Sequence, residues 1–363
     1  MTIRQPLSVQ SINARIALVG AGTIGARYVE SLRQNPGFEV LSVCSKNGEN
    51  AARFAKANNL AASTLEDILC DPNINYVLNL TPAEEHGQTT RACLLAGKSV
   101  FSEKPLAAAL DEADSLIELA EAKGLLLACA PATFLWPPLM TARRLITDGV
   151  LGSITGALTT LVYPGPELFH PNPAHLYSAS AGPLRDMGVY QITVLMALLG
   201  PIIEVYAMAS SSRTERSVLV GPDVGHIFPV SAPTNVHAQF LHSQGSVSSL
   251  IVSFDGMSAS PSQIDVFGQA GGLSLSNAHA HDAVLTHRGP DCSGVINHDE
   301  PWSMSRWAIG PAGAWNAYCT GQLAETNARR ARSVLEVMLA VEVAAKSRRS
   351  VIIPLTDDWS TLF

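Results

Sequence analysis

Residues Arg15 to Gly20 (RIALVG) are a short aliphatic, β-branched run that ends in glycine and continues as Ala21-Gly22-Thr23-Ile24-Gly25. Beyond the glycines, Ile24, Tyr28 and Leu32 recur at four-residue spacing, so the pattern changes from strand to amphipathic helix at the turn itself. Gly20, Gly22 and Gly25 therefore fit G-x-G-x-x-G in the setting where it carries chemistry, after a strand and opening a helix. There the first glycine makes the tight turn, the second lets backbone approach a pyrophosphate, and the third packs helix on strand. Amides of the first helical turn, which includes Thr23 and Ile24, then face the phosphates. A glycine-rich turn in an ordinary α/β protein is the competing reading, and the strand before and helix after favour dinucleotide binding.

The same rhythm continues. Asn35-Pro36-Gly37 stops the helix and Phe38 to Ser45 reads as the next strand. Helices near Asn50 to Asn58 and from Ser63 follow, then strand Tyr76 to Leu80, helix Glu84 to Ala96, and strand Ser99 to Ser102. Asp111 is read as the cap of a helix bearing Ala113, Ile117 and Ala120 on one face, before strand Leu125 to Ala130. Such alternation predicts a doubly wound parallel sheet with helices on both faces, a Rossmann-type domain over residues 1–130.

After about residue 150 strands dominate: Ile154 to Tyr163, Ile202 to Ser211, Asn235 to His242, Val247 to Phe254 and Gln263 to Gly268. Several alternate apolar with polar residues, as in SVSSLIVSF, which describes a sheet with one buried and one open face. A helix from Ala331 to Lys346 and a strand from Val351 to Pro354 close the chain. The expected fold class is thus α/β plus α+β, with residues 131–363 forming a second domain on a large, mostly antiparallel, open-faced sheet for substrate binding and oligomerisation. Period-two logic leaves open which set faces out, Val247, Ser249 and Ile251 or Ser248, Leu250 and Val252.

Composition narrows the partners. The 363 residues carry 24 Lys and Arg against 31 Asp and Glu, a formal charge of −7, with no basic runs. That argues against nucleic acid and anionic membranes as partners. Charged residues are only 15%, low for a water-exposed surface, which favours a homodimer or homotetramer through the open-faced sheet. Two charge-poor stretches, Gly124 to Ala142 and Val189 to Ile203, are too short or too broken by proline to span a membrane. The N-terminal MTIRQPLSVQSINAR lacks a signal-peptide core, and the six scattered cysteines form no CxxC pair and read mostly as small core residues. A cytoplasmic location without a bound metal is the expectation.

An NAD site carries an acid about 20 residues after the glycines, where it binds the ribose 2′-hydroxyl. Here the strand ends Val43-Cys44-Ser45-Lys46-Asn47, with no carboxylate. Ser45 offers a hydrogen bond and Lys46 a positive charge, so the segment suits the 2′-phosphate of NADP, with NAD possible. A solvated loop lysine is the alternative.

The run Ala96-Gly97-Lys98-Ser99-Val100-Phe101-Ser102-Glu103-Lys104-Pro105-Leu106 closely resembles the AGKHVxxEKPL motif of the glucose-fructose oxidoreductase / inositol dehydrogenase / MocA family. Thr81, Pro82 and His86 match its TPxxxH segment, and Gly182 to Tyr190 (GPLRDMGVY) resembles its second motif. The resemblance implies a nicotinamide oxidoreductase acting on sugars, cyclitols or related polyols. Thr81, Pro82, His86 and Glu103 would then line the cofactor, and Pro105 would set the turn, in many members by a cis bond. Lys104 would contact both substrate hydroxyl and cofactor, stabilising developing alkoxide. Asp186 would hydrogen-bond the substrate, and Tyr190, standing where many members carry histidine, would relay the proton with Lys104.

Between the first strand of the second half and Asp186 lies Pro164-Gly165-Pro166-Glu167-Leu168-Phe169-His170-Pro171-Asn172-Pro173-Ala174-His175, which prolines hold out of regular structure. It is similar to a GPExxHPNP loop of one sugar-dehydrogenase-like branch. His170 either binds a substrate hydroxyl or caps the loop. His279 and His281 lack a third ligand and read as a turn. Trp302, Trp307 and Trp315 suit core or interface, or stacking on a sugar face. The resulting expectation is an NADP-dependent enzyme moving hydride between nicotinamide and a hydroxyl or carbonyl carbon of a sugar-like substrate. The alternatives are a redox-assisted lyase or glycosidase without net redox, and a catalytically silent nucleotide-sensing regulator.

Overall fold

The computed structural model describes residues 13–258, 262–278, 283–290, 293–296, 306–355 and 359. It divides into two compact units, one running to Leu135 and taking in a later stretch that ends at Leu335, the other beginning at Trp136 and resuming at Glu336.

The first unit is wound in chain order from β1 (Ala14–Val19), α1 (Thr23–Leu32), β2 (Phe38–Cys44), α2 (Gly48–Asn58), β3 (Ala61–Ala62), α3 (Leu65–Cys70) and β4 (Tyr76–Asn79). It continues through α4 (His86–Leu95), β5 (Ser99–Ser102), α5 (Leu110–Lys123) and β6 (Leu127–Cys129). All pairings are parallel, in the order β3-β2-β1-β4-β5-β6. Every residue of β4, β5 and β6 is buried, as covering on both faces requires. The order reverses between β1 and β4, so a crevice opens at their carboxyl ends, where ligands bind in sheets of this kind. Asp111 does not cap α5: the cap position is Ala109, and Asp111 instead places its charge in the first turn.

The second unit opens with α6 (Pro137–Thr147), whose two prolines occupy the first helical positions, where a missing N–H costs nothing. There follow β7 (Ile154–Val162), α7 (Val189–Leu199), β8 (Ile202–Ser210), a hairpin of β9 (Glu215–Ser217) and β10 (Ile227–Pro229), then β11 (Asn235–His242) and β12 (Val247–Ser253). Strands β13 (Ser262–Gly268), β14 (Gly272–Ser276), β15 (Val284–Arg288) and β16 (Ser293–Ile296) complete this stretch. The chain then forms α8 (Ile309–Cys319), α9 (Ala328–Ser347) and β17 (Val351–Ile352). The sheet is nine-stranded, in the order β16-β15-β14-β13-β7-β12-β11-β8-β17, mixed because β12 pairs with β7 in parallel. Buried Ser248, Leu250 and Val252 alternate with outward Val247, Ser249 and Ile251, which resolves the period-two ambiguity. Helix α7, buried from Gln191 to Leu199, covers the inner face, and Gln191 Nε2 donates to Ser262 Oγ at 3.3 Å. The charge-poor Val189 to Ile203 is therefore core. Among the described residues no helix is long and apolar enough to cross a membrane.

The stretch that returns to the first unit completes its core. Trp315 stacks on Tyr76 with centroids 4.9 Å apart, Tyr76 donates to the Pro311 carbonyl at 3.1 Å, and Gly310 lies against Phe101. Backbone links add to this: the Cys129 N–H donates to Thr326 O at 2.9 Å and Ala308 N–H to Ser31 Oγ at 2.7 Å. Residues 306–335 thus pack with the first unit, although the change of rhythm placed all of 131–363 in the second domain. Trp315 is core and Trp307 packs edge-on against Tyr28, whereas Trp302, His279, His281, His298 and Cys292 lie outside the described residues. Cys44, Cys93 and Cys129 are buried and Cys70 is exposed. Burial pushes the Cys44 thiol up to about 11 and Cys93 up to about 12, which keeps both as inert thiols.

Candidate functional site

In the first unit the glycine turn does what its sequence requires. Gly20 has φ +119 and a side chain there would run into the Leu80 carbonyl, so strand ends β1 and β4 meet only over glycine. A Cβ on Gly25 would press on Phe54 of α2 at 3.1 Å, whereas one on Gly22 would meet nothing within 4 Å. Gly22 therefore borders open space in front of α1. No side chain caps α1 and no acid lies in its first turn, where Thr23 and Ile24 stand. An uncapped, acid-free helix start facing open space fits a pyrophosphate.

The EKP segment lies at the end of β5 and is braced on several sides. Tyr28 of α1 donates its hydroxyl to Glu103 Oε1 at 2.7 Å, and the Lys104 N–H donates to Glu103 Oε2 at 3.2 Å. The Glu103 N–H donates to Asn79 O at 2.8 Å, and the Lys104–Pro105 bond is cis. Thr81 donates its hydroxyl to Asn79 Oδ1 at 2.7 Å, following which Pro82 starts a short helical turn. His86 is buried, with Nδ1 2.7 Å from Pro105 O and Nε2 2.8 Å from Thr81 O. Both ring nitrogens are thereby engaged in bracing the Thr81 and Pro105 segments against each other. Cys129, which nothing in the sequence singled out, lies behind Glu103; burial drives its thiol well up and the Glu103 charge adds to this.

At the end of β2, Ser45 is half-buried and Lys46 exposed. Lys46 Nζ pairs at 2.5 Å with Glu85, from the loop after β4. Asn47 caps α2 by accepting from the Glu49 and Asn50 N–H groups. The sequence gives no hint of the Glu85 pairing, since the residues are 39 apart.

The second unit gathers a separate cluster. A π-turn over Leu184–Gly188 leads into α7, and carries Asp186 one turn before Tyr190. Such turns are frequent at functional sites. Its neighbours fix it: Arg185 makes a two-pronged pair with Glu342 at 2.6 and 2.9 Å, and Met187 packs into the core of Tyr177, Phe228 and Phe254. Asp186 and Tyr190 are both half-buried. Tyr163, at the end of β7, packs edge-on against Phe254, and its hydroxyl is pushed well above the ordinary range by burial first, then by the Asp186 charge.

The proline-rich loop is anchored from below. Glu167 is buried and accepts from both Tyr177 and Arg216, and Arg216 also pairs with Asp255 and donates to the Pro164 carbonyl at 3.0 Å. Burial disfavours the Arg216 charge, but Glu167, Tyr177 and Asp255 outweigh that and hold its pKa above normal. His170 and His175 stand with ring centroids 5.3 Å apart. The Asn172 N–H donates to His170 Nδ1 at 3.1 Å, which both caps the loop and leaves the ring proton on Nε2. Burial, and then His175, push His170 below its ordinary pKa, while the Asp186 charge pulls it up. Arg216 and Asp255 were not legible as site residues. The available signal was Glu167 itself, a carboxylate set among prolines and apolar residues, which cannot be buried without a cation.

Known proteins share both units. A family description for oxidoreductases with an NAD-binding Rossmann fold matches residues 14–130, and the GFO/IDH/MocA C-terminal domain matches residues 139–274. The dTDP-3,4-didehydro-2,6-dideoxy-alpha-D-glucose 3-reductase of Streptomyces antibioticus is 29% identical over 73% of this chain and 76% of its own length. The trans-1,2-dihydrobenzene-1,2-diol dehydrogenase of Bos taurus is 27% identical over 51% of this chain, which spans only 56% of the bovine enzyme. Among solved structures, a levoglucosan dehydrogenase in complex with NADH and L-sorbose superposes with a TM-score of 0.83 at 20% identity, covering 94% of this chain and 99% of its own. The aldose-aldose oxidoreductase of Caulobacter crescentus gives 0.82 at 19%, covering 94% and 100%. With both characteristic domains matched in order along the chain, this protein belongs to the GFO/IDH/MocA family of oxidoreductases, with an NAD(P)-binding Rossmann fold at its N-terminus.

Proposed function

We propose that the protein is an NADP-linked dehydrogenase or reductase acting on a hydroxyl or carbonyl carbon of a sugar, cyclitol or related polyol. The observation that carries this reading is the Glu103-Lys104 segment, braced by Tyr28 beside an uncapped, acid-free helix start. The nicotinamide supplies the two-electron redox capacity. Gly20, Gly22, Thr23, Ile24 and Gly25 form the cradle for its phosphates, and Glu103 orients it with the backbone of Thr81 and Pro82. Lys104 steadies the charge that develops on the substrate oxygen, Asp186 holds a second substrate hydroxyl, and Tyr190 passes the proton. His170 offers its Nε2 proton to the substrate. Names borne by the relatives, sugar reductases and diol dehydrogenases, support this substrate class.

NADP is favoured over NAD because β2 ends on Ser45 and Lys46 without a carboxylate. Glu85 holds Lys46 in an exposed pair, worth at most about 1 kcal/mol, so a doubly charged phosphate displaces it readily. The open sheet face supports a homodimer or homotetramer. Strand register places Met208, His237, Ile251, Thr160 and Gln263 in one row across five strands, and exposed Tyr206, Val247 and Phe267 lie on the same side. A screen of polyols and sugars, following reduced-cofactor absorbance, tests the proposal; no turnover with any of them, in either direction, would refute it.

A further inference from the structure

Asn79, at the buried end of β4, ties three turns together. Its Nδ2 donates to His86 O and to Thr90 Oγ1, each at 3.0 Å. Its Oδ1 accepts from the Thr81 hydroxyl, and its carbonyl accepts from the Glu103 N–H at 2.8 Å. His86 closes this circle from the other side. Its ring stands between two backbone carbonyls, with Nδ1 2.7 Å from Pro105 O and Nε2 2.8 Å from Thr81 O. Both partners are acceptors with no hydrogen to give, whereas a neutral imidazole has one N–H and one bare lone pair. In either neutral tautomer one of the two contacts would set lone pair against lone pair within hydrogen-bond distance, around a buried ring. Only the imidazolium donates at both nitrogens, and both distances fall in the range of charge-assisted bonds.

We propose that His86 is held as the imidazolium and that this buried cation, bonding Thr81 O and Pro105 O at once, positions Lys104 for the reaction. The inference rests on the dehydrogenase reading above and adds to it a positioning residue and the charge that residue carries. Lys104 directly precedes Pro105, so releasing the Pro105 carbonyl frees the turn that aims the lysine, while the bond to Thr81 fixes the turn on the other side. The surrounding charges are mixed. At the first turn of α4 the helix dipole opposes a cation. Against it stands Glu112 of α5: a Cβ on Gly87 would run into its Oε1, and its Oε2 accepts from the Ala108 N–H at 3.1 Å. Asp111 adds a carboxylate in the same turn of α5, and Asp114 pairs with Arg332. Glu84 and Glu85 stand on the turn before α4, the latter paired with Lys46, and Arg91 of α4 bonds Ser115. On the EKP side Glu103 accepts from Tyr28, and Lys104 brings the opposing charge. Carboxylates thus outnumber cations around the imidazolium and offset its burial.

The test uses the full chain. Ring-nitrogen NMR of isotope-labelled protein reads both nitrogens directly, with His86→Gln identifying the signal among the 10 histidines. At neutral pH two protonated, hydrogen-bonded nitrogens are expected; one protonated and one bare nitrogen overturns the proposal. Kinetics are taken with the best compound of the polyol and sugar screen. His86→Gln retains an amide donor but no cation, and is expected to lower kcat about tenfold, the equivalent of one lost hydrogen bond, with KM and nucleotide affinity near wild type. His86→Arg offers a fork of donors that stays charged at any working pH. The wild type is expected to lose kcat on the alkaline side as His86 gives up a proton, and the arginine variant to lack that step. A lowered unfolding midpoint in His86→Gln with kcat and its pH profile unchanged overturns the positioning of Lys104. Should a variant fail to fold, wild-type spectra recorded across the kcat profile, with His86 assigned through its backbone, replace it. Loss of the second ring proton is then expected to coincide with loss of kcat, and a kcat that survives it overturns the proposal. No turnover of any compound refutes the dehydrogenase reading and the positioning with it, whereas a bare ring nitrogen refutes this inference alone.

Discussion

The Tyr28 hydroxyl donates to Glu103 Oε1 at 2.7 Å, joining the helix that starts at the glycine turn to the carboxylate of the EKP segment. Tyr28 is itself wedged edge-on against Phe101 and Trp307, so its hydroxyl has little freedom to wander. Tyr28→Phe keeps those ring contacts and deletes one donor. We expect kcat/KM to fall about five- to tenfold, the equivalent of roughly 1 kcal/mol, with the unfolding midpoint scarcely moved. Steady-state kinetics beside thermal unfolding checks this; a large loss of stability with normal kinetics would make the bond purely structural.

Lys104 and Tyr190 are separable by substitution. Lys104→Met removes the cation at similar bulk and is expected to lower turnover about 100-fold or more. Tyr190→Phe removes one hydroxyl and is expected to cost on the order of 100- to 10,000-fold if it passes the proton. Free-nucleotide affinity should be nearly unaffected in both. A Phe variant with near-normal turnover reduces Tyr190 to a pocket wall, and normal turnover in both variants refutes the mechanism.

Cofactor choice is expected to lie at the end of β2. Ser45→Asp combined with Lys46→Ala puts a carboxylate where a 2′-phosphate would lie and removes the cation. Fluorescence titrations should show NADP affinity falling far more than NAD affinity. A wild type that already prefers NAD contradicts the assignment.

Stability should depend on pH through His242. Its Nδ1 lies 2.8 Å from Gly200 O and its Nε2 2.8 Å from Ser248 Oγ, and burial pushes its pKa down to about 4. The unfolded chain binds this proton near pH 6.5 and the native protein only near 4, so stability is full above 6.5 and is lost progressively as the pH falls between the two. The loss is at most about 3 kcal/mol. Urea unfolding from pH 7 to 4 measures it, and His242→Gln should flatten that part of the profile.

The open sheet face predicts assembly. Light scattering at micromolar concentration should give a dimer or larger, and Met208→Glu with Val247→Lys should shift it towards monomer. A monomeric wild type sinks the idea.

Where local pattern and final environment agree, the sequence was readable. The β1–α1 unit is one case, because strand and helix periods meet at Gly20. Strand β11 is another, since Val236, Ala238 and Phe240 alternate with His237 and Gln239. Helix α6 escaped notice because Pro137 and Pro138 look like breakers until their place in the first turn is known. Helix α8 (IGPAGAWNAYC) is apolar nearly all round, and so shows no stripe for a period to reveal. The hairpin strands have three residues each, too few for any alternation, and the Arg216 cluster joins side chains 39 and 49 positions apart. In the EKP region the motif located Glu103 and Lys104, but which atoms brace them depends on Tyr28, 75 residues away.

The return of α8 to the first unit bears on how this protein can be cut. A gene fragment ending near residue 130 looks like a self-contained nucleotide module, yet it would leave Tyr76 without its Trp315 lid and the Cys129 edge of the sheet without Thr326. Swapping nucleotide preference between relatives by exchanging that contiguous block would graft a half-filled core. A transplant that includes residues 306–335, or a circular permutation that makes them contiguous with β1, respects the boundary that the packing draws.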